Sequence, residues 1–224
     1  MTETVLILGG TREAAQIAAE FVRDHPDWRV ITSLAGRTKE PKPIVGEVRS
    51  GGFGGAEGLA DYLRAEGVTR LVDATHPFAR QISRNAKQAA QIAGVRLETR
   101  MRPPWKNQAG DHWIEVASLE EACDAIPPHA RVLLALGSQH IALFASRKDV
   151  HFCVRMVDPP EIPLPLPDHE LIIGLPGRTV DEEAALLTDH AISHIVCRNS
   201  GGDGAYSKIE AARRLAVPVI MIGR

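Results

Sequence analysis

The 224-residue chain is 44% hydrophobic and carries 26 basic against 28 acidic residues, a formal net charge of -2. That is enough apolar material for one large or two small domains, and too even a charge for the basic footprint of a nucleic-acid binder or a membrane-surface protein. No stretch reaches transmembrane length, and the amino terminus enters an apolar run without the charged and cleavage regions of a signal peptide, so a cytoplasmic protein is expected.

Short apolar runs at 5–8, 30–34, 71–73, 95–97, 132–136, 152–157, 171–173, 195–197 and 217–222 predict strands. They are continuous rather than alternating, which is the pattern of parallel strands covered by helices on both faces. Between them lie helical periods such as Ala14, Ile17, Ala18, Phe21 and Val22, then Ala79, Ile82, Ala86, Ala89 and Ala93, and finally Ala205, Ile209, Ala212 and Ala216. The rhythm predicts an α/β protein of two Rossmann-like domains with mostly parallel sheets and a ligand cleft between them. The Pro127-Pro128 pair, followed at once by an apolar run, puts the expected boundary between residues 1–128 and 129–224. Each half then opens in the same way, with strand, glycine, hydroxyl residue and helix: Gly9-Gly10-Thr11 in the first, Gly137-Ser138 in the second. The stretch from Pro159 to Pro167, with five prolines in nine residues, reads as an extended connector or lid.

Cys123, Cys153 and Cys197 stand singly, without a CxxC pair or a zinc-site histidine spacing, and the nine histidines form no HExxH. Reduced core thiols are expected, and no catalytic metal.

Four segments carry candidate chemistry. Gly9, Gly10, Thr11 and Arg12 join the first strand to a helix, where backbone amides and a helix N-terminus would hold a phosphate; a purely structural tight turn would look the same. After the second strand come Arg37 and Lys39, where an NAD-binding fold carries an acidic residue. A cation there suits the 2′-phosphate of NADPH, and a solvated loop is the competing reading. The third strand ends in Asp73-Ala74-Thr75-His76-Pro77-Phe78, placing a carboxylate, a hydroxyl and an imidazole ahead of a helix expected to hold proline in its first turn. Thr75 capping that helix and Asp73 bonding nearby amides are the structural alternatives. The fourth segment, Arg198-Asn199-Ser200-Gly201-Gly202-Asp203-Gly204-Ala205-Tyr206-Ser207-Lys208, combines three glycines with many donors and ionisable groups.

In their order along the chain, Gly9 to Ala14, Asp73 to Ala79 with Ile82 and Asn85-Ala86, Asn199 to Gly202 with Lys208, and the closing run 217–222 resemble the precorrin-6A reductase family. The resemblance spans both halves. It implies NADPH-dependent reduction of precorrin-6A to precorrin-6B in cobalamin biosynthesis, by hydride transfer to the macrocycle followed by protonation of the adjacent carbon. It also implies a polycarboxylate tetrapyrrole as partner, with other enzymes of that pathway as further partners. In that setting Asp73 and His76 become catalytic candidates. Gly9, Gly10, Thr11, Arg12, Arg37, Thr75, Asn199, Ser200, Gly201 and Gly202 become cofactor-binding ones. Arg198, Asp203, Tyr206 and Lys208 become substrate-binding ones, with Arg80 and Arg84 as further cations. The cobalt-containing substrate of the anaerobic pathway and a non-catalytic NADP-binding module are the alternatives. A short-chain reductase is disfavoured, because Tyr62 and Tyr206 are followed four positions later by Glu66 and Glu210 rather than lysine.

Overall fold

A computed structural model describes residues 2–36 and 43–224. They divide into two compact units, residues 1–102 and 103–224.

The first unit contains β1 (Thr4–Leu8), α1 (Arg12–Asp24), β2 (Arg29–Leu34), β3 (Glu47–Ser50), α2 (Gly55–Ala65), β4 (Arg70–Asp73), α3 (Arg80–Ala93) and β5 (Arg96–Thr99). Its sheet has the order β3-β2-β1-β4-β5, and every pairing is parallel. Alternate residues of β1 serve opposite faces, as the strand pleat requires. Val5 and Ile7 pack with Ala14, Ile17 and Ala18 of α1. Leu6 and Leu8 pack with Leu59 and Leu63 of α2 and with Ala86 and Ala89 of α3. Burying each leucine or isoleucine contributes about 1.5–3 kcal/mol, so this three-layer core is the main force holding the strand ends in register.

The second unit contains β6 (Trp113–Val116), α4 (Leu119–Asp124), β7 (Arg131–Ala135), β8 (His151–Met156), β9 (His169–Ile173), α5 (Val180–Asp189), β10 (His194–Arg198), α6 (Ser207–Arg214) and β11 (Val219–Ile222). Its sheet, again parallel throughout, has the order β6-β11-β10-β7-β8-β9. Read from β7, the order repeats that of the first sheet, with β6 added beyond β11. Leu133, Ile195, Cys197, Val219 and Met221 pack against Ala184, Leu187, Ile209 and Ala212 of α5 and α6.

Three expectations are corrected. The division falls after residue 102 rather than at 128/129, because β6 pairs with β11 and belongs to the second sheet. The prolines at 127 and 128 mark only the turn into β7. Second, β3 and β6 were not foreseen: both are short edge strands with much of their surface exposed, so neither shows a continuous apolar run. Third, the helix after Gly137 is a 3-10 helix over Ser138–Ser146, with Gly137 as its N-cap. The proline-rich stretch connects β8 to β9, and its own Leu166 is buried. No helix among the described residues is long and apolar enough to cross a membrane.

Candidate functional site

In the first sheet the chain runs outward from β1 to β2 and β3, then crosses back to β4 on the other side of β1. Loops leaving the strands at such a reversal diverge and open a crevice at their carboxyl ends. Gly9 to Thr11 leave β1 there, and Ala74 to Phe78 leave β4, with Leu8 and Asp73 as register partners.

Gly10 sits at φ +95°, a conformation that favours glycine. A Cβ on Gly9 would approach Thr32 Cγ2 to 2.9 Å, so the turn is as close to β2 as a bare backbone allows. Thr11 is the N-cap of α1: its Oγ1 accepts from Ala14 N at 3.1 Å and donates to the Ala74 carbonyl at 2.9 Å. The amino-terminal end of the α1 dipole points out at this turn, the polarity that favours an anion. Arg12 is exposed at the first helical position. A small depression beside it is lined by Thr11, Glu13, Ala74, Thr75, Arg100 and Arg102. Within it Arg102 forms an ion pair with Glu13.

Asp73 is buried at the end of β4, where Oδ1 accepts from Thr75 N at 3.1 Å and from Thr75 Oγ1 at 2.6 Å. The carboxylate thereby fixes the turn that follows. His76 Nδ1 accepts from Phe78 N at 3.3 Å, and its carbonyl accepts from Ala79 N at 2.7 Å. Because these bonds close a separate turn, α3 begins only at Arg80, with Ala79 as its N-cap. Pro77 is therefore not in the first helical turn, and Thr75 does not cap the helix.

Arg37 and Lys39 lie outside the described residues. Sequence reasoning missed Arg49, which reaches from β3 to the end of β2. It donates to Ser33 Oγ at 2.8 Å and to the carbonyls of Gly51 and Gly52, while its guanidinium lies 3.9 Å from the Phe53 ring centroid. The signal was present in Arg49-Ser50-Gly51-Gly52-Phe53, a cation followed by glycines, but its strand had gone unread.

The second sheet reverses order between β7 and β10, and Gly137-Ser138 and Asn199 to Gly202 are the loops leaving that pair. Much of the polar character of the second loop is used within its own unit. Asn199 clasps the Trp105 backbone, its Oδ1 accepting from Trp105 N at 2.7 Å and its Nδ2 donating to Trp105 O at 2.9 Å. Trp105 Nε1 donates to the Gly202 carbonyl. Lys208, 5% exposed, donates to the Ala205 carbonyl, and its Nζ lies 5.0 Å from the Trp105 ring centroid. Tyr206 OH accepts from Gln108 and from Arg213, which also pairs with Asp111. Gly201, at φ +67°, is approached so closely by the Pro103 carbonyl that a Cβ would lie 2.0 Å from it. Arg224 donates to the Ser200 carbonyl, Arg198 is half-buried, and Asp203 is exposed. Neither Trp105 nor Arg213 was foreseen, because their partners lie about a hundred positions away in the chain.

Residues 4–224 match the family model described as precorrin-6x reductase CbiJ/CobK. The chain belongs to this family. Precorrin-6A reductase of Rhodobacter capsulatus is 46% identical over 221 residues, covering 98% of this chain and 87% of that protein. The Rhodococcus erythropolis enzyme of the same name is 43% identical, covering 98% and 88%. The solved structure of CobK precorrin-6A reductase superposes with a TM-score of 0.95 at 46% identity, covering all of this chain and 88% of that one. Membership of the precorrin-6x reductase family thus extends through both units.

Proposed function

We propose that the chain reduces precorrin-6A to precorrin-6B with NADPH in the cytoplasm, a hydride going to one carbon of a macrocycle double bond and a proton to its neighbour. The observation that carries the reading is the glycine turn and capped start of α1 at the β1–β4 reversal, in a chain of the precorrin-6x reductase family. The cytoplasm suits three cysteines that are all buried and free of disulfides.

The residues fit the cofactor. Gly9, Gly10 and the first amides of α1 form a bare backbone concavity for a pyrophosphate, with Thr11, Arg12 and Thr75 at its edge. Arg49 supplies positive charge beside the carboxyl end of β2 for a 2′-phosphate, where an acidic residue would repel it, and Arg37, three positions after β2 in the sequence, is the further candidate cation. When bound, NADPH supplies the hydride. In the second unit the loop residues Asn199, Ser200, Gly201 and Gly202 are the cofactor-contact candidates and Arg198 and Asp203 the substrate-contact ones, on the strength of the family resemblance. Tyr206 and Lys208 serve this loop by holding it against the 103–111 segment, which their existing hydrogen bonds support.

His76 donates the proton. Its Nδ1 accepts from the Phe78 amide in the neutral ring, so the donor form is the imidazolium, which takes a proton from solvent, gives up that bond, and returns to the neutral imidazole when it passes one proton to the substrate carbon. Asp73 acts as a positioning residue, through the turn it holds at Thr75.

Purified protein mixed with NADPH and precorrin-6A should consume nicotinamide absorbance, with NADH much slower. Folded protein that leaves NADPH unoxidised would overturn the reading. Faster turnover of cobalt-precorrin-6A would assign it to the metal-containing substrate instead.

A further inference from the structure

His151, Cys153 and Glu170 meet near the amino-terminal ends of β8 and β9, whereas the Gly137 and Asn199 loops leave the carboxyl ends of the central strands β7 and β10. His151 and Cys153 are two apart on one strand and so leave the same face. Cys153 stands opposite Glu170 in the β8–β9 register. Its Sγ lies 2.8 Å from Glu170 Oε1, and His151 Nε2 lies 3.6 Å from that oxygen. All three donor atoms fall within 4.8 Å of one another. His190, at the end of α5, brings Nδ1 to 2.9 Å from the same carboxylate oxygen.

The imidazole of His151 is oriented from outside. Its Nδ1 lies 2.9 Å from Asp168 Oδ1, so the ring hydrogen sits on Nδ1 and Nε2 presents its lone pair to the cluster. That Nε2 is buried and has no hydrogen-bond partner among the described residues. An imidazole steered by a carboxylate, with its other nitrogen bare and turned inward, is the usual arrangement of a metal-bound histidine.

We propose that His151, Cys153 and Glu170 bind a zinc-type divalent cation, with His190 as the fourth ligand. Thiolate and imidazole donors select zinc or cobalt over magnesium and calcium, which prefer all-oxygen sites. A tetrahedral ion holds such ligands about 3.3–3.8 Å apart, so Cys153 Sγ and Glu170 Oε1, 2.8 Å apart, separate by roughly half an ångström or more as the ion enters, while His151 Nε2 already lies 3.6 Å from that oxygen. Arg131 also donates to Glu170 Oε1, at 3.2 Å, and the ion replaces that bond. One thiol proton leaves to solvent as the sulfur–metal bond forms, and the thiolate and carboxylate together neutralise the dication. Glu170 and His190 are each about one-third exposed, which gives the ion a path in. With four protein ligands and no open position, the site is structural.

Reduced, metal-stripped protein should bind one equivalent of Co2+ with a thiolate-to-cobalt charge-transfer absorption, release a proton, and yield the cobalt to Zn2+ but not to Mg2+. Cys153→Ala and His151→Ala should lose the absorption, while Cys123→Ala should keep it. Glu170→Gln, which preserves shape and thiol, should weaken zinc binding at least about tenfold. Absence of the absorption in the unmodified protein, its survival in Cys153→Ala, or unchanged zinc affinity in Glu170→Gln would each overturn the assignment.

Discussion

The Thr11 hydroxyl is used twice, accepting from the amide of Ala14 and donating to the carbonyl of Ala74, so one side chain both starts α1 and ties it to the loop after β4. Thr11→Ala should lower stability by about 1–2 kcal/mol in denaturant unfolding, and Thr11→Ser should recover most of it. His76→Gln tests the proton donor. Single-turnover reduction should fall about 10²- to 10⁴-fold with NADPH affinity unchanged, and a near-normal rate would leave water or the substrate's own groups as donor. Arg49→Gln should weaken NADPH roughly ten- to a hundredfold while sparing NADH, because the 2′-phosphate is what separates the two cofactors. Equal losses for both would mean that Arg49 serves the fold through Ser33 and Phe53 instead.

At the scale of elements, legibility followed burial. The central strands β1, β2, β4, β7, β8 and β10 are buried and mostly apolar, and each was predicted within a residue or so of its bounds. The edge strands β3 and β6, short and partly wet, gave no such signal, and the domain boundary was misplaced because β6 was missed. The Gly9 and Asp73 segments were legible as polar turns at strand ends, since polar residues at the end of an apolar run are conspicuous. Pairings such as Asn199 with Trp105 were not, because no local pattern encodes contact across so many positions. One buried pair escaped for the same reason: Arg155 of β8 meets Glu183 of α5, which is fully buried and also accepts from Gly177 N. Glu183→Gln leaves the Arg155 charge uncompensated and should cost about 3–5 kcal/mol, seen as an earlier unfolding midpoint of the second unit.

At the scale of the molecule, the two units repeat one strand plan, each with its polar loops at the point where its own strand order reverses. The division at residue 102 makes a direct prediction. A 103–224 fragment keeps β6 on β11 and should melt cooperatively. A 129–224 fragment loses β6 and the Trp105 and Asp111 contacts, and should melt broadly or aggregate through its bared edge. Edges matter differently in the first unit. Arg49 is carried by β3, the outermost strand, whose neighbour Val48 is 47% exposed. Substitutions there meet few packing constraints, whereas Gly9 and Thr11 are tied into the core. Under the proposed use of NADPH, β3 is the natural first target for shifting cofactor preference toward NADH, because substitutions on this edge strand leave the packing of β1 against α1 untouched.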